Sequence, residues 1–361
     1  MVDDEFKIPK LSIFQWNEEN CLTIDVRSPL EFNEASLPKA INMPIFDNEE
    51  RAKVGTVYKQ QGKTEAVKLG LKIFSKKVPE LFNTILMMKE QHPNERIVIF
   101  CARGGMRSSS ITSTLNMLGI HCYQLSGGFR AYRSLILDKL ENFSKMSKKI
   151  YVISGNTGTK KTAVLQCLKV EGYPVIDLEG MAGHRGSAFG GIGLKASSQK
   201  QFEALLVEEL EQYQSSPYLI IESESKRIGN VIVPDFIIEG KKGGIHIELL
   251  LPLQDRIQHL IETYQPEKFE KEIIEAFMAI KKRMQRHIGE EIQGLLQHKE
   301  YEKAFEMLLT TYYDPQYSYA TLQYHQRIKQ IHFTKIQEAV EEIKNVINQY
   351  ESRLIEYQRM V

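Results

Sequence analysis

The sequence predicts an α/β protein: two successive parallel-sheet domains followed by a helical C-terminal stretch. Three observations predict it. Short apolar strands alternate with helical patterns from about residue 21 to residue 125, the order that builds a parallel sheet covered by helices. The alternation restarts at Ile150-Tyr-Val-Ile153, after a charged segment running from Asp138 to Lys149. From Leu253 onward helical periodicity takes over. The boundaries that follow are 1–140, 141–252 and 253–361, the last a helical extension of the second domain. A chain of 361 residues is too long for one ordinary domain, so division is expected on length alone.

Composition narrows the function classes. Lys and Arg total 47 against 46 Asp and Glu, so the formal charge is +1 and a polyanionic partner needs a local basic face. The four cysteines, Cys21, Cys101, Cys122 and Cys167, lack CxxC spacing. That argues against a structural zinc site or a disulfide framework and suits a reducing, cytoplasmic setting. The acidic start Met-Val-Asp-Asp-Glu-Phe is not followed by an apolar segment, so no signal peptide is expected. No stretch approaches the roughly 18 apolar residues of a membrane span, and no membrane partner is expected.

In the first domain, Cys21-Leu-Thr-Ile-Asp-Val-Arg27 reads as a buried strand ending in Asp25 and Arg27. Ser28-Pro29 then caps a helix. Leu37 to Ile45 is a turn entering a short strand, Leu71 to Lys89 a helix, and Arg96 to Phe100 the central strand. Ser108 to Leu118 is a helix and Cys122 to Leu125 a further strand. The central strand delivers Cys101 into Ala-Arg103-Gly104-Gly105-Met-Arg107. The glycines let backbone N–H groups turn toward one point, the next helix adds its positive end, and the arginines add full charges. All of this favours thiolate over thiol, and thiolate is the nucleophile. Asp25 and Arg27 read as an ion pair that buttresses the strand end. Asn48 to Gly62 is a polar insert, read either as a solvated helical connection or as a segment facing substrate.

These residues resemble the rhodanese family: Ile24-Asp-Val-Arg27 with Glu31-Phe32, Pro38-Lys-Ala-Ile-Asn42, the cysteine loop, and Leu125-Ser-Gly-Gly-Phe129. The resemblance implies that Cys101 carries a sulfane sulfur as a persulfide.

The second domain opens with strand, glycine-rich loop and helix. Ile150 to Ile153 runs into Gly155-Asn156-Thr157-Gly158-Thr159-Lys160-Lys161-Thr162, followed by Val164, Leu165 and Leu168. This is the context of a phosphate-binding P-loop, whose N–H groups cradle phosphate oxygens at a helix N-terminus. Lys161 would reach a terminal phosphate and Thr162 could hold magnesium. Lys160 stands where the usual pattern has its last glycine, which leaves anion binding in place and argues against ordinary nucleotide hydrolysis. Two strands ending in acids follow, Pro174 to Gly180 and Tyr218 to Ser225. Neither gives a clean metal-binding aspartate, and no metal ligand set is assigned. Between them, His184 is an acid–base or structural candidate and Arg185 a bidentate phosphate ligand.

In the C-terminal stretch, Lys268 to Arg286 reads as one long helix with Lys281, Lys282, Arg283 and Arg286 crowded together. Those cations are either a solvated face or a phosphate contact. Tyr312, Tyr313 and Tyr317 are core residues or stacking platforms for an unpaired base. His332 to Tyr357 reads as a closing helix.

The combination is more specific than either half. The stretches Val54-Gly-Thr-Val-Tyr-Lys-Gln60, Cys101 with Arg103 to Ser108, Asp177-Leu-Glu-Gly180 with His184-Arg-Gly-Ser-Ala-Phe-Gly190, and Glu222-Ser-Glu-Ser225 with Ile228-Gly229 are similar to the tRNA 2-selenouridine synthase family. The resemblance implies a transferase that replaces the sulfur of wobble 2-thiouridine with selenium through an S-geranylated intermediate. The implied partners are tRNA (its anticodon region), selenophosphate and geranyl diphosphate, with no tightly bound cofactor. It implies that Cys101 carries or positions selenium as a perselenide-like species. Arg103, Gly104, Gly105 and Arg107 would bind selenophosphate, and residues 155–162 with His184 and Arg185 the diphosphate. A rhodanese-type sulfurtransferase with an ATP-using second domain is the alternative enzyme, and a nucleotide-dependent binding module the alternative outside catalysis.

Overall fold

In the computed structural model, which describes residues 8–18, 20–316 and 328–360, the chain divides into two compact units, Met1–Asn142 and Phe143–Val361. The first unit runs β1 (Lys10–Leu11), α1 (Ile13–Glu18), β2 (Cys21–Asp25), α2 (Pro29–Glu34), β3 (Ile41–Asn42), α3 (Asn48–Gln61) and α4 (Lys63–Gln91). It continues with β4 (Arg96–Phe100), α5 (Met106–Met117), β5 (Cys122–Leu125) and α6 (Gly128–Ser144), the helix that leads into the second unit. Its five strands pair in parallel in the order β1-β5-β4-β2-β3. Ile97, Val98, Ile99 and Phe100 of β4 are each at most 1% exposed, because a parallel sheet is covered on both faces.

One feature departs from the sequence reading and a second refines it. The long helix begins at Lys63 rather than Leu71, and Pro79 lies inside it. The polar insert is a full helix, α3, and it packs on α4. Asp47 caps α3 through the Glu50 amide, while the Glu50 carboxylate returns to the Asp47 amide. That reciprocal box gives the polar segment its start signal.

The second unit contains β6 (Lys149–Ser154), α7 (Lys161–Val170), β7 (Val175–Ile176), α8 (Leu178–Ala182), α9 (Gln199–Gln212) and β8 (Tyr218–Glu222). A small antiparallel pair, β9 (Arg227–Ile228) and β10 (Val231–Ile232), precedes α10 (Asp235–Gly243) and β11 (Ile245–Leu250). Then come α11 (Leu253–Tyr264), α12 (Glu270–Lys281), α13 (Arg286–Gln297) and α14 (Tyr301–Leu308), a π-helical turn at Leu309–Tyr313, β12 (Ile328–His332) and α15 (Ile336–Met360). The main sheet is parallel, ordered β12-β11-β6-β8-β7, so the strand feeding the glycine-rich loop is central.

The C-terminal stretch is not a single helical array. His332 ends a strand, and β12 with α15 completes the sheet domain: Ile331, Phe333, Val340 and Ile343 share its core with Ile153 and Leu165. The run from Lys268 to Arg286 breaks into two helices at Lys282–Gln285. Helices α11 to α14 bury a separate core around Phe277, Phe305 and Ile292, into which Phe189 also packs. Tyr312 and Tyr313 belong to that core at 7% and 8% exposure, and Tyr317 lies outside the described residues. The basic linker residues are structural: Lys148 donates to the carbonyls of Tyr213, Gln214 and Ser216, and Lys149 pairs with Glu351 at 2.5 Å. Among the described residues no helix is long and apolar enough to cross a membrane.

Candidate active sites

Cys101 sits at the carboxyl end of β4, where parallel sheets gather their chemistry. The helix α6 closes the loop from one side: the N–H groups of Phe129 and Arg130 donate to the carbonyls of Cys101 and Ala102. Approach is that close only because Gly128 has no side chain; a Cβ there would lie 2.1 Å from the Cys101 carbonyl oxygen. Behind the strand end, Arg27 and Asp25 form a buried pair at 2.6 Å, and Arg27 also donates to the Ala35 carbonyl and covers the Phe129 ring. Asp25 and Arg27 therefore brace the loop from inside.

The Cys101 thiol is 3% exposed. Burial raises its pKa, but the opposing contributions win and it falls below the usual thiol value. They are the Ser108 hydroxyl 3.2 Å from Sγ, the N–H groups of Arg103 and Ser108, and the charge of Arg107. Gln124 orients Ser108 by donating to its Oγ at 2.8 Å. Arg107 is held by both carboxylate oxygens of Glu31, at 2.6 and 3.0 Å. Glu31 lies half-buried, and although burial opposes ionisation, Arg107 draws its pKa down to about 2. Arg103 is exposed beside the loop. Cys122, buried without such a cradle, is pushed up to about 12.

In the second unit, residues 155–162 form the loop between β6 and α7. Lys160 adopts φ 58° and ψ 24°, the left-handed conformation glycine takes most easily. The lysine therefore keeps the backbone path of the missing glycine at a cost of roughly 1–2 kcal/mol. Lys161 Nζ folds back onto the carbonyls of Gly155 (2.8 Å) and Asn156 (3.4 Å), the position from which it would meet a phosphate. The tip of the loop is pinned by Arg256, which donates to the Thr157 carbonyl and pairs with Asp314. A cavity of about 70 Å³ opens over the loop, lined also by Arg185 and His259. Its size suits phosphate groups.

Matches to known families decide the kinship. A family model described as the tRNA 2-selenouridine synthase AAA domain matches residues 148–351, more than half the chain, and a rhodanese-like domain model matches residues 15–135. The chain belongs to the tRNA 2-selenouridine synthase family. It is 39% identical over 245 residues to a tRNA 2-selenouridine synthase of Nitrosomonas europaea, covering 67% of this chain and 63% of that one. A second, from Hydrogenovibrio crunogenus, is 36% identical over 334 residues, covering 83% of this chain and 89% of the relative. Among solved structures, the N-terminal domain of a Clostridium difficile 630 protein described as ATP/GTP binding is 42% identical over 36% of this chain and 98% of that one, with a TM-score of 0.33.

The fold gathers the rhodanese-loop candidates of this family member around one sulfur, and Arg185 and residues 157–162 around one cavity. His184 is placed differently. It lines a neighbouring cavity with Ala188, Arg283, Tyr312 and Gln316, and its Nδ1 has no hydrogen-bond partner. Sequence reasoning did not single out Ser108, Gln124 and Glu31 for these roles, and it read the acids that follow β7 and β8 without pairing them with each other or with Thr162. Thr162 Oγ1 donates to Glu179 at 3.0 Å, and Glu179 hydrogen-bonds Glu224. Burial, then the charge of Glu179, raise the pKa of Glu224, and burial raises that of Glu179 as well. Gly186 covers the pair, and a Cβ there would lie 2.5 Å from Glu224 Oε2. Glu222, fully buried, is likewise raised by burial while accepting from the Leu178 amide. Thr162 and Glu179 are the oxygens a magnesium ion at a bound phosphate would meet. Among the described residues no three His, Cys, Asp or Glu side chains converge as a metal site.

Proposed function

We propose that this protein converts wobble 2-thiouridine of tRNA to 2-selenouridine in two steps. In the first, geranyl diphosphate is held by residues 155–162 with Arg185. The thiocarbonyl sulfur attacks the allylic carbon, diphosphate leaves with the C–O electron pair, and the N3 proton is lost. Diphosphate departure needs charge stabilisation rather than an activated water, and Lys160, Lys161 and Arg185 supply it. In the second, selenium from selenophosphate adds at C2 and geranyl thiol leaves; water takes the phosphoryl group from selenium, giving the C=Se bond and phosphate.

Within that second step, Cys101 positions the selenium donor, with Arg103 and Arg107 as the phosphate partners. Carrying selenium as a Cys–S–Se species formed from selenophosphate would be a two-electron oxidation, and neither substrate supplies the oxidant. Positioning keeps the electrons balanced. The face bearing Arg283, next to the cavity that His184 lines, is where we place RNA phosphate contact. The names of the relatives support tRNA as the substrate.

The observation that carries this reading is a thiol held toward thiolate in a chain that also folds a lysine-tipped phosphate loop. The test is mass analysis of nucleosides after incubating purified protein with thiolated tRNA, geranyl diphosphate and selenophosphate, each omitted in turn. S-geranyl-2-thiouridine should form without selenophosphate, and Cys101→Ala should stop selenation while sparing geranylation. Selenation without geranyl diphosphate, or at the wild-type rate in Cys101→Ala, would refute the scheme, and ATP turnover would favour a sulfurtransferase instead.

A further inference from the structure

Beside the Cys101 loop the first unit opens a recess of about 220 Å³, walled by Phe46, Val54, Tyr58, Val67, Leu71 and Met106. Four of its large apolar side chains are exposed together: Tyr58 at 58%, Val67 at 36%, Leu71 at 62% and Met106 at 50%. Scattered exposed hydrophobics need no explanation, but a cluster around one opening marks a ligand site. The volume falls below the roughly 300–1,000 Å³ of drug-sized sites, so the occupant is a small chain rather than a ring system with substituents.

The walls connect this recess to the thiol. Helix α3, the polar insert, contributes Val54 and Tyr58, and α4 contributes Val67 and Leu71. Met106, Arg107 and Ser110 come from α5, whose preceding residue Gly105 accepts from Cys101 Sγ at 3.8 Å. The recess therefore borders the helix that follows the reactive loop. The recess is lined by two cations, Lys63 and Arg107, and the second is the selenophosphate partner in the scheme above, so a diphosphate here would be left with Lys63 alone.

We propose that this recess binds the isoprenoid chain of the S-prenylated nucleoside, holding the thioether against the Cys101 loop for exchange with selenium. The proposal rests on the two-step reading above and adds where the intermediate is recognised. It gives α3 a purpose, as one wall of a prenyl site, and makes chain length a condition of the second step.

The test uses the full-length protein, selenophosphate and an anticodon-stem oligonucleotide bearing S-geranyl- or S-methyl-2-thiouridine, with wild type compared to a Val67→Gln, Leu71→Gln variant. Both positions are solvent-accessible, so the fold tolerates the change. The wild type should prefer the S-geranyl substrate, and the preference should fall about tenfold in the variant, mainly through KM, the effect of losing a few apolar contacts. Geranyl transfer from geranyl diphosphate is read in parallel. An equal fall there would assign the recess to the free diphosphate and overturn the choice of the thioether. An unchanged preference in the variant, or no preference in the wild type, would overturn the prenyl site while leaving the two-step scheme standing. If the wild type converts neither thioether, the scheme itself falls and the inference falls with it.

Discussion

Ser108→Ala tests how the thiol is activated. Ser108 is fully buried and its Oγ lies 3.2 Å from Cys101 Sγ. The hydroxyl has one proton and two acceptors, Sγ and the Gly105 carbonyl. Gln124 donates to the same oxygen, so the proton must point to one of them. Ionising the sulfur draws it to Sγ. A hydrogen bond to a charged group is worth about 1.5–3 kcal/mol, and solvent cannot replace it at this depth. At about 1.36 kcal/mol per pKa unit, deleting it raises the Cys101 pKa by about one to two units. The fold should survive, because the Gln124 amide keeps its bonds to the Gly104 and Gly105 carbonyls. The assay is the rate of iodoacetamide modification of Cys101 against pH, read by peptide mass so that the other cysteines do not interfere. Cys122, at about 12, stays silent. An apparent pKa equal to that of wild type would refute the argument and leave Arg107 and the backbone N–H groups as the activating contacts.

Lys161→Ala should abolish geranyl transfer while leaving the melting temperature nearly unchanged, since the lost bonds to the Gly155 and Asn156 carbonyls lie at a solvent-reachable loop; retained geranylation would remove the loop from the chemistry. Lys160→Gly exchanges a left-handed strain of roughly 1–2 kcal/mol for roughly 0.5–1 kcal/mol of added chain entropy, so thermal unfolding should shift little. Its affinity for inorganic diphosphate, measured by calorimetry, should fall with the lost charge. Glu31 is ionised more easily folded than unfolded, so its contribution to stability is fully present above its ordinary value of 4.5 and is lost as pH falls toward about 2. Urea unfolding should show that acid loss in wild type and a flatter profile in Glu31→Gln.

The legible parts of the two sites were those whose chemistry is local. A strand, two glycines and flanking arginines announce the Cys101 loop, and a strand, Gly155 and Lys161-Thr162 announce the phosphate loop. Asp25 and Arg27, two residues apart, were readable as a brace because one strand end positions both. Even the substitution at Lys160 was visible, although only the fold gives its left-handed angles. The clasp of Arg107 by Glu31 was not legible: the two are separated by 76 residues, and Glu31 stood out only in the Glu31-Phe32 motif at a helix start. The contact of Glu179 with Glu224 was hidden for the same reason, as was the return of β12 to the sheet beside β11.

By itself the sequence determined where the thiol, the charges and the turn-forming glycines cluster, because they must sit within a few residues to shape one loop. It also determined the alternation of strand and helix, which hydrophobic spacing dictates locally. The tertiary structure decided how those atoms are tuned and what they face. The thiol's ionisation depends on partners brought in from other elements, and the apolar recess exists only where α3, α4 and α5 meet. Burial and Coulomb interaction depend on distance in space, and that distance is set by packing rather than by separation along the chain.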